Sequence, residues 1–143
     1  MIKLYGKPQM KGISYKFRPG AYAILPRGNS ILLTHQAAQF NEFQLPGGGI
    51  DTGETPIAAL HREVFEETGW RIAAPRFLCA RRIFIFMPDY DMYAEKLCKF
   101  YVAHPVRKLS SPTEDAHTAH WIPKMRVTQF LQGVGAEVFH HYG

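Results

Sequence analysis

Apolar positions along this chain follow two rhythms, and each predicts a different kind of element. From Pro56 to Thr68, Ile57, Leu60 and Val64 recur at helical spacing and share one arc, which would face a core. Thr55 is a candidate N-cap, and Pro56 stands at the first helical position, where its missing N–H costs nothing. Gly69 suits the left-handed residue that ends a helix. The spacing predicts a helix over 56–68.

The second rhythm is that of strands. Ser14 to Leu25 alternates enough for a strand interrupted by Pro19-Gly20, Pro26-Arg27-Gly28-Asn29 signals a turn, and Ser30 to His35 reads as the return strand of a hairpin. Residues 36–42 read as a polar loop, and Phe43 to Leu45 as a short strand delivering the chain to Pro46 and a tight loop of Gly47, Gly48 and Gly49. Arg71 to Ala74 begins another strand, punctuated by Pro75. Phe77 to Phe86 and Glu95 to Val106 are long β-rich runs joined by residues 87–93, an aromatic and Met-rich loop that could grip a base or merely shield the sheet. A polar loop from Ser110 to Asp115 precedes a last strand at His120 to Ile122, with short helical segments over 124–131 and 136–141. Met1 to Gly12 suits an edge strand or a loose arm. Strands with an inserted helix and C-terminal helices indicate an α/β or α+β domain.

Chemistry enters through the predicted helix. Glu63, Glu66 and Glu67 stand at i, i+3 and i+4, so their carboxylates share a face, and His61 projects away from it. Like charges at these spacings cost an isolated helix roughly 0.2–0.5 kcal/mol per pair. Three glutamates alone read most simply as a solvated face. The preceding glycines shift that balance, because a backbone without side chains can approach a ligand or metal closely, and one of its carbonyls can complete a metal shell. An all-oxygen cluster suits Mg²⁺ or Mn²⁺ better than zinc.

The order Gly48, five residues, Glu54, seven residues, Arg62-Glu63-Val64, one residue, Glu66-Glu67, one residue, Gly69 resembles the Nudix box. Only the last position departs from it: Trp70 replaces an aliphatic residue, a change that concerns packing. The box covers residues 48–70, and the resemblance implies one domain over 1–143, folded as an α/β/α sandwich around a mixed β-sheet. It further implies hydrolysis of a nucleoside diphosphate linked to another moiety, with Mg²⁺ (or Mn²⁺) as cofactor. Glu63, Glu66 and Glu67 would bind the metal, helped by a carbonyl of Gly48 or Gly47, with Glu63 a candidate general base. Arg62 would orient this catalytic set by pairing with Glu66 and anchoring Glu54, so that Gly48, Glu54, Arg62 and Gly69 form the structural frame. In some MutT-type members a further carboxylate comes from a later loop, which points here to Glu114 or Asp115; an acidic loop cap is the plainer alternative.

Size and the plain box favour a nucleoside triphosphate as substrate, giving monophosphate and pyrophosphate. Dinucleoside polyphosphates, ADP-ribose, capped RNA ends and a non-catalytic nucleotide sensor are the alternatives. Asn29 and Asn41 both precede the box, so an Asn that reads an oxidised base in some relatives has no counterpart.

Charge and composition alter this picture little. The net charge of +5 suits an anionic substrate, yet there is no basic block to suggest specific nucleic-acid binding. Arg81, Arg82 and Lys99 could reach phosphates, although strand alternation sends Arg81 and Arg82 to opposite faces. Cys79 and Cys98 lie on the two long runs and are expected as reduced thiols. None of the seven histidines sits in a metal-ligand pattern. The absence of a long apolar run excludes a helical membrane span, a cytoplasmic location is the default, and a homodimer is plausible by family habit.

Overall fold

The computed structural model describes residues 2–37, 42–114 and 116–143. In chain order the strands are β1 (Lys3–Leu4), β2 (Lys16–Ile24), β3 (Pro26–Arg27), β4 (Ser30–Gln36), β5 (Glu42–Gln44), β6 (Gly47–Gly49), β7 (Trp70–Met87), β8 (Met92–Lys108) and β9 (His117–Pro123). The helices are α1 (Pro56–Thr68), α2 (Val127–Phe130) and α3 (Gly133–Tyr142). One sheet runs β1-β7-β8-β2-β6 and mixes parallel with antiparallel pairs; the other joins β3, β4 and β5, with β9 on β4. Among the described residues, no helix is long and apolar enough to cross a membrane.

Alternation along the strands divides the core into two layers. Ala21, Ala23 and Leu25 pack with Leu60 and Val64 of α1, whereas Ile24 packs with Val127, Leu131, Val138 and Phe139 of the C-terminal helices. Leu32 joins the first layer and its neighbours Ile31 and Leu33 the second; Tyr101 and Ala103 face α1 while Cys98 and Phe100 face α3. Period-two alternation thus gives the sheets apolar side chains on both faces, with helices covering each: an α/β/α arrangement. Leu60 and Val64 are fully buried as their spacing requires, but Ile57 is 38% exposed. In the first turn Ala59 takes the inward place.

Three strand expectations are corrected. First, β2 runs unbroken through Pro19-Gly20. Ile50 N–H donates to the Pro19 carbonyl, so the proline's nitrogen points the same way, to the side where β6 ends, and its missing N–H falls outside the β8 ladder. Second, the return strand β4 pairs with the two-residue β3 across Gly28-Asn29 and continues against β9 and β5, because the chain changes sheets at Leu25. Third, Pro75 does not end a strand. β7 continues from Trp70 to Met87, with irregular pairing between Ala73 and Arg76 absorbing the proline and Ala74 in the left-handed region at φ 51°.

Trp70, the departure from the box, has its own packing solution. Its ring meets Trp121 edge-on at 5.5 Å, and the Arg27 guanidinium lies over both rings, 5.1 Å and 5.7 Å from their centroids.

Candidate active site

Helix α1 is built as its sequence requires. Thr55 accepts a hydrogen bond from Ala58 N–H, Pro56 occupies the first turn, and Gly69 closes the helix at φ 75° with its N–H on the Phe65 carbonyl. A Cβ on Gly69 would sit 1.8 Å from the Ser110 carbonyl oxygen, so the stop is also a point of close chain approach. Beyond the cap, the exposed carbonyl of Glu66 accepts the N–H groups of Thr113 and Glu114 at 2.9 and 3.0 Å. An orphan carbonyl at the helix end thereby ties Thr113, 47 residues away, to α1 and brings the neighbouring Glu114 to the acidic face.

The glycines form strand β6 instead of the tight loop expected of them. Hydrogen bonds from Ala23 N–H to Pro46 and from Ile50 N–H to Pro19 fix the ladder, and the same alternation turns the N–H and carbonyl of Gly48 toward Ala21. The backbone of Gly47 points the other way, where its N–H donates to Glu67 Oε1 at 3.1 Å. Of the two carbonyls considered for a metal shell, that of Gly47 therefore faces the helix. Gly48 serves by lacking a side chain: a Cβ there would lie 2.5 Å from Glu63 Oε2.

Arg62 is the hub of the acidic face. Its Nε and Nη2 grip Glu54 at 2.8 and 2.9 Å, and Nη2 also reaches the Gly49 carbonyl at 3.0 Å. Nη1 donates to Glu63 at 2.9 Å and to Glu66 at 3.4 Å. All five N–H groups of the guanidinium are committed, so its task here is to orient carboxylates. The paired hydrogen bonds from Arg62, aided by Asp51 N–H, hold the Glu54 carboxyl down to about 2.

Glu67 has the opposite surroundings. It is only 6% exposed, and its burial, reinforced by Glu114, Glu63 and Glu66, pushes its carboxyl up to about 9 against the Gly47 hydrogen bond. Burial also raises Glu63, with Arg62 opposing. Two groups of side chains place their ligand atoms within 4.8 Å of one another: Glu63, Glu66 and Glu114, and Glu67, Glu114 and His117. The first is all oxygen, the donor set that suits Mg²⁺ or Mn²⁺.

Glu63, Glu67, Glu114 and His117 of these groups line a cavity of about 470 Å³. Its apolar lining, Phe43, Ile83, Phe100, Leu131 and Val134, belongs to one packed cluster, and Lys96, Tyr90, Glu42 and Gln44 line it as well. Tyr22 stacks on Phe100 at 5.6 Å and bonds Cys98, and burial raises both the phenol and the thiol. Cys79 and Cys98 are free thiols. From the 87–93 loop, Tyr90 reaches the cavity rim, 60% exposed beneath the Arg18 guanidinium.

Glu63 and Glu66 are brought together with Glu114, and Glu67 with Glu114 and His117, framed by Gly47, Gly48, Glu54, Arg62 and Gly69. Asp115 lies outside the described residues, as does most of the polar loop expected over 36–42. Arg81 and Arg82 do face opposite sides of the sheet, but neither borders the cavity. Arg81 pairs with Glu137 of α3 at 2.7 Å, and Arg82 pairs with Glu95. Sequence reasoning missed Tyr22, Lys96 and His117. Their place depends on strand register, which no local motif announces.

A mixed sheet between helices, with a carboxylate-bearing helix against a glycine strand, defines an α/β/α sandwich with an acidic helix face. Residues 16–141 match the model of the NUDIX domain, and the chain belongs to the Nudix family. It is similar in sequence to the RNA pyrophosphohydrolase of Helicobacter pylori (strain ATCC 700392 / 26695), 41% identical over 59 residues that make up 38% of each chain. It also resembles the RNA pyrophosphohydrolase of Psychrobacter cryohalolentis, 34% identical over 88 residues, 62% of this chain and 46% of that protein. The chain thus spans less than half the length of these curated relatives. In fold it is similar to a MutT NUDIX hydrolase from Burkholderia pseudomallei, with TM-score 0.73 over 90% of this chain and 99% of that one at 21% identity. The mutator MutT protein of Bacillus halodurans superposes with TM-score 0.71 over 87% of this chain and 81% of that one, also at 21% identity.

Proposed function

We propose that this chain is a pyrophosphohydrolase that cleaves nucleoside 5′-triphosphates to monophosphate and pyrophosphate, with Mg²⁺ or Mn²⁺ as its cofactor. The observation that carries the reading is a cavity lined both by Glu63, Glu67 and Glu114 and by a packed apolar and aromatic cluster that includes Phe43 and Phe100. Such a cavity matches a molecule with a charged phosphate chain and a flat base.

The residues fit a divalent cation. Glu67 is buried among like charges, and Gly48 leaves room at Glu63 that a methyl group would fill. Glu66, Glu67 and Glu114 would hold the ion, with the Gly47 carbonyl on the same side, while Glu63 is left to act as base. When bound, a divalent cation neutralises phosphate charge and makes a bound water more acidic. The chain's own groups do the rest. Glu63, fixed through one oxygen by Arg62, accepts the proton of the water that attacks phosphorus, and its raised affinity for protons suits that task. The P–O bond of the α–β bridge breaks as the new one forms, and its oxygen departs as an anion, giving monophosphate and pyrophosphate. Lys96 offers positive charge along the cavity, and Tyr22, Phe43 and Phe100 exclude water from its apolar lining.

A second reading has specific support. The curated relatives are named RNA pyrophosphohydrolases, which favours the same chemistry on the 5′-triphosphate end of an RNA, with Tyr90 and Arg18 at the rim as the path for the chain beyond the first nucleotide. One screen separates the two readings: nucleoside triphosphates, oxidised nucleotides, ADP-ribose, dinucleoside polyphosphates and 5′-triphosphorylated RNA, each with Mg²⁺ or Mn²⁺, with products resolved by chromatography and Glu67→Gln as control. Monophosphate and pyrophosphate from free nucleotides are expected. Turnover confined to RNA would move the substrate to the second reading. Nucleotide binding with no turnover of any compound would leave a sensor and sink the enzyme.

A further inference from the structure

The inner end of the site contains a group that the acidic helix does not supply. His117, the first residue of β9, is held opposite Gln36 of β4, and its side chain is 5% exposed. Its Nε2 stands 3.7 Å from Glu67 Oε2, and its Nδ1 stands 4.0 Å from Glu114 Oε2. Both separations are too long for hydrogen bonds. Two ligands held about 2.1 Å from one ion stand roughly 3.0–3.4 Å apart, so Nε2 and Glu67 need approach only slightly to share a cation.

We propose that His117 Nε2 is a ligand, together with Glu67, of a divalent cation at the inner end of the cavity, a mixed nitrogen–oxygen position that prefers Mn²⁺ to Mg²⁺. The proposal rests on the metal-dependent reading above and adds to it a choice of ion. Glu63, Glu66 and Glu114 offer oxygen alone, whereas imidazole suits transition ions and Mg²⁺ favours carboxylate and water. His117 lies on a paired strand, so its ring is delivered by a fixed backbone.

Pulsed electron paramagnetic resonance on the Mn²⁺-loaded protein reads directly whether a nitrogen touches the metal. Calorimetric titration with Mn²⁺ and with Mg²⁺ reads affinity, and both measurements are repeated on His117→Gln, or on His117→Asn if thermal melting shows the first to be unfolded. Imidazole coupling is expected in the wild-type protein and absent from the variant. Mn²⁺ affinity should fall by about tenfold or more, while Mg²⁺ affinity stays within about twofold. Coupling that is missing from a protein that binds Mn²⁺, or that survives the substitution, overturns the assignment. So does an equal loss for both ions, which would mark His117 as merely structural. Failure of the wild-type protein to bind either ion is a distinct result and removes the metal centre itself.

Discussion

Glu54 and Glu67 flank the same helix and are treated in opposite ways. Glu54, just before the N-cap, is met by two N–H groups of Arg62 and held at about 2; Glu67, in the last turn, is buried among other carboxylates and raised to about 9. The first end is complete in itself: every charge has a partner, and the geometry is locked. The second crowds buried carboxylates together, which favours a proton or a cation there. Paired charge is placed at the start of the helix and buried, crowded carboxylates at its end, with Arg62 spanning the two through Glu63 and Glu66.

Removing the charge at the crowded end should have the largest effect. Glu67→Gln keeps an oxygen for Gly47 N–H but loses the carboxylate, and turnover should fall by about a hundredfold or more. The metal-free protein should meanwhile become more stable at pH 8, by on the order of 2 kcal/mol, as followed by urea unfolding in chelator. The sign follows from the raised carboxyl. Between 4.5 and about 9 the folded form holds a proton that the unfolded chain has released, so stability falls as pH rises through that window. Glu67→Gln should flatten this slope, and saturating divalent ion should remove it. A steep slope surviving in the variant would place its source elsewhere.

Arg62→Ala attacks the locked end. Glu54, Glu63 and Glu66 lose their common partner, so turnover should drop about ten- to hundredfold and stability by about 2 kcal/mol. The acid limb tests its origin: Glu54 contributes stability that is present above 4.5 and lost as pH falls toward 2, and the variant should lose that dependence.

The smallest contrast lies in two neighbouring glycines. Alanine at Gly47 would place Cβ 2.2 Å from the Ala21 carbonyl oxygen at φ 148°, so Gly47→Ala should destabilise the fold by about 1–3 kcal/mol. At Gly48 the obstacle is the flexible end of Glu63, which can move. Gly48→Ala should leave stability within about 1 kcal/mol yet slow turnover roughly tenfold by displacing Glu63. Melting curves beside steady-state rates would separate the two, and equal thermal losses would contradict the distinction.

What the sequence disclosed follows the range of the forces involved. Thr55, Pro56 and Gly69 act within one turn, and the helix they bound was legible to the residue. So was the convergence of Glu63, Glu66 and Glu67, because helical periodicity is local. Gly47–Gly49 was not readable as a strand, since glycine has little intrinsic taste for one and β2 imposes the pairing. Pro75 looked like a stop because the bulge that absorbs it is made jointly with β8. For Arg81 and Arg82, alternation gave the faces correctly, but Glu137 lies 56 residues away and could not be foreseen as a partner. His117 stood among seven histidines with nothing local to distinguish it; only the register of β9 on β4 turns it toward Glu67.

The bonds from Thr113 and Glu114 to the Glu66 carbonyl, with that from Leu109 to Gly69, splice the end of α1 to a segment much further along the chain. The last helical turn and this segment therefore open and close as one unit. Fraying of that turn should release Glu114 as it loosens Glu67, so the acidic face is expected to disassemble together. Amide exchange at 113 and 114 would keep time with exchange at the helix end, and a bound ion would slow both clocks by the same factor.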